Sequence, residues 1–203
     1  MTNDICRFVS LAITTVETPA ATEGRTPAMT HVVAIGMLIA ERDSEDRWQF
    51  SLQRRAIGAG EGEALLLTWA ARAMPATGIV IGWQLADAIV MPLLEAGSDV
   101  EPEVARSFLD RLTALVTTPS VDLAIAHGGA AAPAFAAVAA GRGIDVTPLS
   151  YAEIESAWAF IDVDALRADV AQRAMAAWRL WLAESNGAGA AALKAFETWV
   201  CST

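Results

Sequence analysis

RFVSLAITTVETPA, residues 7–20, decides how the rest of the chain is to be read. Phe8, Val9, Leu11, Ile13 and Val16 give a nearly continuous apolar run, the pattern of a strand buried on both faces. Thr14, Thr15, Glu17, Thr18 and Pro19 then supply turn-forming types and predict that the strand gives way to a loop. Side chains at i and i+2 leave a strand on the same face. Ala12 and Thr14 therefore look out together, and an alanine is a small residue to place there.

Working outward, the elements fall into a front half of strands and a back half of helices. HVVAIGMLIAE (31–41) predicts a second strand, and the polar turn RDSED leads to RWQFSLQRR (47–55), which alternates apolar Trp48, Phe50 and Leu52 with polar residues. Three such segments in succession predict an antiparallel meander. GAGEG reads as a helix start, with the helix itself at Glu63 to about Met74 and Leu66, Leu67, Trp69 and Ala70 on its apolar side. TGIVIGWQ (77–84) predicts a buried fourth strand, followed by a helix near Asp87 to Glu95. A further helix runs from Pro102, a helix-starting proline, to Val116. SVDLAIA (120–126) is the fifth strand or a strand end. Helices are predicted at 131–141, 151–158, 164–184 and 189–200, with ESNGAGAA (184–191) as a stop and restart.

Composition bounds the function classes. The chain has 203 residues, 54% of them hydrophobic, enough for one good core, so one domain over 1–203 is expected. A net charge of −10 opposes non-specific binding to phosphate backbones and acidic membranes. Two cysteines, Cys6 and Cys201, make no disulfide framework and suit a reduced, cytoplasmic protein. The opening MTNDICR lacks the basic region of a signal peptide, and no stretch approaches the roughly 20 apolar residues of a membrane span. No nucleophile elbow, phosphate loop or Cys-x-x-Cys is present. Neither His31 nor His127 falls in a metal-ligand spacing, and both are expected to be solvated. Trp69, Trp83, Trp178 and Trp181 lie on apolar stripes, whereas Trp48 and Trp199 are candidates for an exposed stacking or association surface.

Three meander strands followed by two more separated by helices is the order of a ribonuclease H-like fold. Block by block, the chain resembles the predicted 3′–5′ exonucleases related to the proofreading domain of B-family DNA polymerases, in the DEDD superfamily. The blocks are AITTV (12–16), HVVAIGMLI (31–39), GEALLLTWAARAMPATGIVIGW (62–83), SVDLAIAHGGAAAPAFAAVAAGRGI (120–144) and RAMAAWRLWL (173–182), within residues 6 to 183. The resemblance implies an α/β domain with a five-stranded mixed sheet, order 3-2-1-4-5, and helices on both faces. It also implies a site in which four carboxylates hold two magnesium or manganese ions, which activate a water and stabilise the leaving oxygen.

At those four positions this sequence has no carboxylate. Ala12 and Thr14 stand where the family has Asp and Glu. Val90, aligned through Pro92, stands at the third carboxylate, with Gln84 at the family's asparagine, and Arg173 at the fourth. A guanidinium about 4 Å from a divalent ion is repelled by roughly 8 kcal/mol at an effective dielectric near 20. The expectation is therefore a degenerate, non-catalytic domain with no bound metal, a scaffold for a partner protein or a nucleic-acid end. Homo-oligomerisation is left open, and no membrane role is expected. The alternative is a hydrolase or metal-dependent exonuclease rebuilt on Asp169, Asp87 or Glu17. Asp169 precedes Arg173 by one helical turn, at the edge of the stripe formed by Leu166, Val170, Ala174, Trp178 and Trp181, so it reads as an ion-pair partner. Asp87 reads as an acid at a helix start, Asp122 as structural, and Glu17 as a loop residue.

Overall fold

The computed structural model describes residues 6–18, 29–185 and 189–202. Five strands form one mixed sheet in the order β3-β2-β1-β4-β5. β1 (Cys6–Thr18), β2 (Met29–Arg42) and β3 (Trp48–Ala56) are the antiparallel meander, and β4 (Ile79–Gly82) and β5 (Ser120–Asp122) add in parallel beyond β1. Parallel strands cannot be joined by a tight turn. The chain therefore reaches β4 through α1 (Glu63–Ala73), and β5 through α2 (Met91–Ser98) and α3 (Pro102–Val116). β1 is central, as expected from its apolar run.

The two faces of β1 sort by residue parity. Val9, Leu11 and Ile13 pack with Leu66 and Leu67 of α1, Leu93 of α2, and Phe108, Leu112 and Leu115 of α3. Phe8 and Ala12 pack on the opposite side with α4 (Phe135–Gly141), α6 (Val163–Glu184) and α7 (Ala190–Val200). Val16 joins α5 (Tyr151–Ala159) and the start of α6 through Ala157, Leu166 and Val170. Each large apolar side chain buried in these layers contributes about 1.5–3 kcal/mol relative to exposure, so the sheet is held from both sides.

Small residues let α6 approach the sheet. An added Cβ on Gly36, which pairs with Ala12 across β1 and β2, would lie 2.7 Å from the backbone carbonyl oxygen of Val170. Ser10, buried on the same face of β1, donates its hydroxyl proton to the Ala174 carbonyl at 2.7 Å. A hydroxyl inside an apolar layer needs such a partner.

Four boundaries differ from the sequence reading. β1 continues to Thr18, because Thr14 pairs with Ala34 and Thr15 with Val32 across a register shift; Glu17 is thus an exposed strand residue. β5 stops at Asp122, whose side chain turns the chain into short 3-10 turns. The helix expected near Asp87 starts as a π-helical stretch over Leu85–Val90. Residues 129–131 form a 3-10 turn ahead of α4. The loop around Pro19 and the middle of 184–191 lie outside the described residues.

Candidate functional site

Midway along β1, just past the last residue that pairs with β4, Ala12 and Thr14 both face α6. Thr14 is buried and donates its hydroxyl proton to Asp169 Oδ2 at 2.9 Å. Arg173, one turn along α6, donates to the same Oδ2 from Nε at 3.0 Å and from Nη2 at 2.6 Å. Nη2 also donates to Thr14 Oγ1 at 2.6 Å and to the Ile13 carbonyl at 2.7 Å. The other carboxylate oxygen, Oδ1, accepts the Leu149 backbone N–H at 2.9 Å. Asp169 is only 1% exposed, so the sequence reading that set it at the edge of the apolar stripe is corrected to a buried position. A charge so placed persists only when paired and hydrogen-bonded. Its acceptor capacity is used within the protein.

A cavity of about 310 Å³ opens beside this network. Its lining is mainly apolar: Ala12 from β1, Ala88 and Ile89 from the π-helical stretch, Phe135 ahead of the α4 interior, and Ala177 from α6. Trp83 and Arg173 complete the wall, and Arg173 is the one ionisable residue among those lining it. Trp83 follows β4 and packs against two rings, with centroids 5.5 Å from Phe135 and 5.7 Å from His127. His127 is fixed in turn by Glu184, whose Oε1 lies 2.7 Å from Nε2. His127 is therefore half-buried and paired instead of solvated. His31 is corrected likewise, with Nδ1 3.3 Å from Glu63 Oε2.

Asp122 fixes the start of the π-helical stretch that carries Ala88 and Ile89. Its Oδ2 accepts the Leu85 N–H at 2.9 Å and its Oδ1 accepts the Ala124 N–H at 3.0 Å. The first N–H of the π-helical stretch would otherwise lack a partner. Gln84, just before it, holds φ of 47°, a left-handed conformation uncommon outside glycine. Asp87 is the acid expected at this helix start. It lies in the first turn and is exposed, but Asp122 provides the side-chain cap.

Of the four positions the resemblance singles out, Ala12, Thr14 and Arg173 meet midway along β1. Val90 does not line the cavity; it packs half-buried with the α1–α3 layer, while its neighbours Ala88 and Ile89 face the opening. Asp169 belongs to the cluster, whereas Asp87, in the π-helical stretch, and Glu17, farther along β1, are exposed. Sequence reasoning missed Trp83, Phe135 and Ala177 as cavity residues. Trp83, just after β4, and Phe135, the first residue of α4, bring aromatic surface from element ends whose approach no periodicity encodes.

Trp48 and Trp199 prove to be half-buried. Trp48 packs 5.8 Å from Phe8 and 5.7 Å from Trp178, and Trp199 packs 5.7 Å from both Phe50 and Phe196. They belong to an aromatic layer between β3, α6 and α7.

Magnesium and manganese need oxygen ligands, mostly carboxylate. The cavity wall offers the Ala12 methyl and a guanidinium, while the nearby Thr14 hydroxyl and Asp169 carboxylate are already engaged. These residues do not fit a divalent ion. Among the described residues no three His, Cys, Asp or Glu side chains gather as a metal-ligand group, and no helix is long and apolar enough to cross a membrane.

No protein-family model, curated protein or solved structure matches the chain.

Proposed function

We propose that the chain is a degenerate 3′–5′ exonuclease-like domain of the ribonuclease H-like class, one that binds without cutting and serves as a scaffold for a partner protein or a nucleic-acid end. The strand order, with three antiparallel strands followed by two parallel ones and helices on both faces, supports the class. The observation that carries the loss of catalysis is the bonding of Arg173 to Asp169, Thr14 and the Ile13 carbonyl. Two-metal hydrolysis needs ions held by anionic oxygen so that a water is activated and the leaving oxygen stabilised. Midway along β1, Arg173 brings a cation to where the resemblance would put such an ion, and it engages the nearest carboxylate.

The test is incubation of the purified protein with end-labelled single- and double-stranded DNA and RNA, in magnesium or manganese. No degradation is expected. Asp87→Ala and Glu17→Ala, both at exposed positions, and Asp169→Asn serve as controls for contaminating nuclease. Metal-dependent degradation that disappears in any of the three overturns the reading and identifies a rebuilt site.

A further inference from the structure

The cavity between Ala12, Trp83, Phe135 and Arg173 has features that a scaffold role leaves unused. It is sizeable, largely apolar and walled by aromatic rings, and Arg173 brings to it a donor group that is not engaged elsewhere. Arg173 Nε and Nη2 are committed to Asp169, Thr14 and Ile13, while Nη1 makes no hydrogen bond among the described residues. Pockets of this size and character, with few convergent polar groups, are those that take small molecules.

Size and charge narrow the ligand class. An apolar cavity of about 150 Å³ accommodates benzene, so about 310 Å³ suits a bicyclic ring system. Arg173 and Asp169 together are neutral, and no second ionisable side chain lines the cavity. A bound cation would meet the guanidinium. A bound anion would bring an extra charge into apolar surroundings with its only cation already paired, at a desolvation cost. A neutral acceptor avoids both penalties and can take an Nη1 proton. Trp83, propped by Phe135 and His127, offers a ring face for stacking.

We infer that this cavity is a binding site for a small, neutral, flat molecule of bicyclic aromatic size, carrying one carbonyl-type acceptor that bonds to Arg173. The inference rests on the reading that this site does not work through a metal, and it adds a ligand class to it.

The probe is 6-propionyl-2-dimethylaminonaphthalene, a neutral naphthyl ketone whose emission moves to the blue in apolar surroundings, titrated into the full chain in the presence of EDTA. Expected is a saturable blue shift with one molecule bound per chain. 2-Acetylnaphthalene should displace the probe at least tenfold better than 2-naphthoate or naphthalene. Ala88→Trp and Ala134→Trp, two exposed rim positions that can be filled without disturbing the core, should each abolish binding. Arg173→Met, checked for folding by circular dichroism, should erase the preference for the ketone over the hydrocarbon. Saturable binding that survives both rim variants, an anion that competes as well as the ketone, or no saturable binding at all overturns the inference. Failure of the non-catalytic reading registers separately, as metal-dependent nuclease activity without EDTA, so the two failures are distinguishable.

Discussion

Asp169 and Arg173 stand one turn apart on α6, and the single oxygen Oδ2 of Asp169 receives Arg173 Nε at 3.0 Å and Nη2 at 2.6 Å. A surface pair at this spacing contributes only a few tenths of a kcal/mol. This one is different, because the carboxylate is buried and also accepts from Thr14 and from the Leu149 N–H. It joins α6, β1 and the segment before α5.

Removing one member of this network leaves its partner uncompensated. Asp169→Ala is expected to cost about 3 kcal/mol in a urea unfolding titration, the low end for a broken buried pair because Arg173 keeps some access to water. The double variant Asp169→Leu/Arg173→Met should recover most of that loss, since a well-packed apolar pair avoids the desolvation of both charges. A loss below about 1 kcal/mol for Asp169→Ala would reduce the network to an ordinary surface pair.

Asp122 holds two backbone N–H groups, those of Leu85 and Ala124. Asp122→Ala should destabilise the protein by about 2 kcal/mol through those unsatisfied donors. Asp122→Asn, which retains an acceptor oxygen, should cost less than half as much. Hydrogen exchange gives the local readout: the Leu85 and Ala124 amides should lose protection first. Unchanged protection at both would contradict the capping role.

Gly36 lets the α6 backbone rest against β2. Adding a methyl there places carbon 2.7 Å from the Val170 carbonyl oxygen, a contact that requires the helix to shift. Gly36→Ala should destabilise by about 1–3 kcal/mol, the usual range for overpacking. Because α6 carries Arg173 and Ala177, the same variant should also alter the cavity and weaken binding of the naphthyl ketone. Wild-type stability in this variant would show that α6 moves away without penalty.

Acid sensitivity has a visible contribution at the start of α5. The Ser150 hydroxyl and the Ser150 backbone N–H both donate to the Glu153 carboxylate, and these bonds hold its pKa below the ordinary value of 4.5. A depressed folded-state pKa means that the unfolded chain binds the proton more readily. The stabilisation is therefore fully present above pH 4.5 and is lost as pH falls through the lower folded value. Ser150→Ala should raise the Glu153 pKa, read by NMR titration of its side-chain carboxyl carbon, and flatten the stability profile below pH 4.5. An unmoved titration would exclude the hydroxyl as the main cause.

The apolar run at residues 7–16 and the strand–helix order made the sheet legible before any coordinates: period-2 and period-3.6 patterns are local, and the order β3-β2-β1-β4-β5 follows the resemblance. Local patterning also paired Ala12 with Thr14, because i and i+2 share a strand face, and Asp169 with Arg173, because i and i+4 share a helix side. The resemblance already set Thr14 and Arg173 at one site; the tertiary structure decided that Thr14, Asp169 and Arg173 bond to one another there. The bond from Thr14 to Asp169 spans 155 residues, and it depends on how closely α6 lies over β1. That approach is set by Gly36 and Ala174, whose small size is silent in a hydrophobicity pattern. The same limit explains the histidines and Trp83. Their partners, Glu63, Glu184 and Phe135, come from other elements, and burial there follows from packing between layers, which no window along the sequence contains.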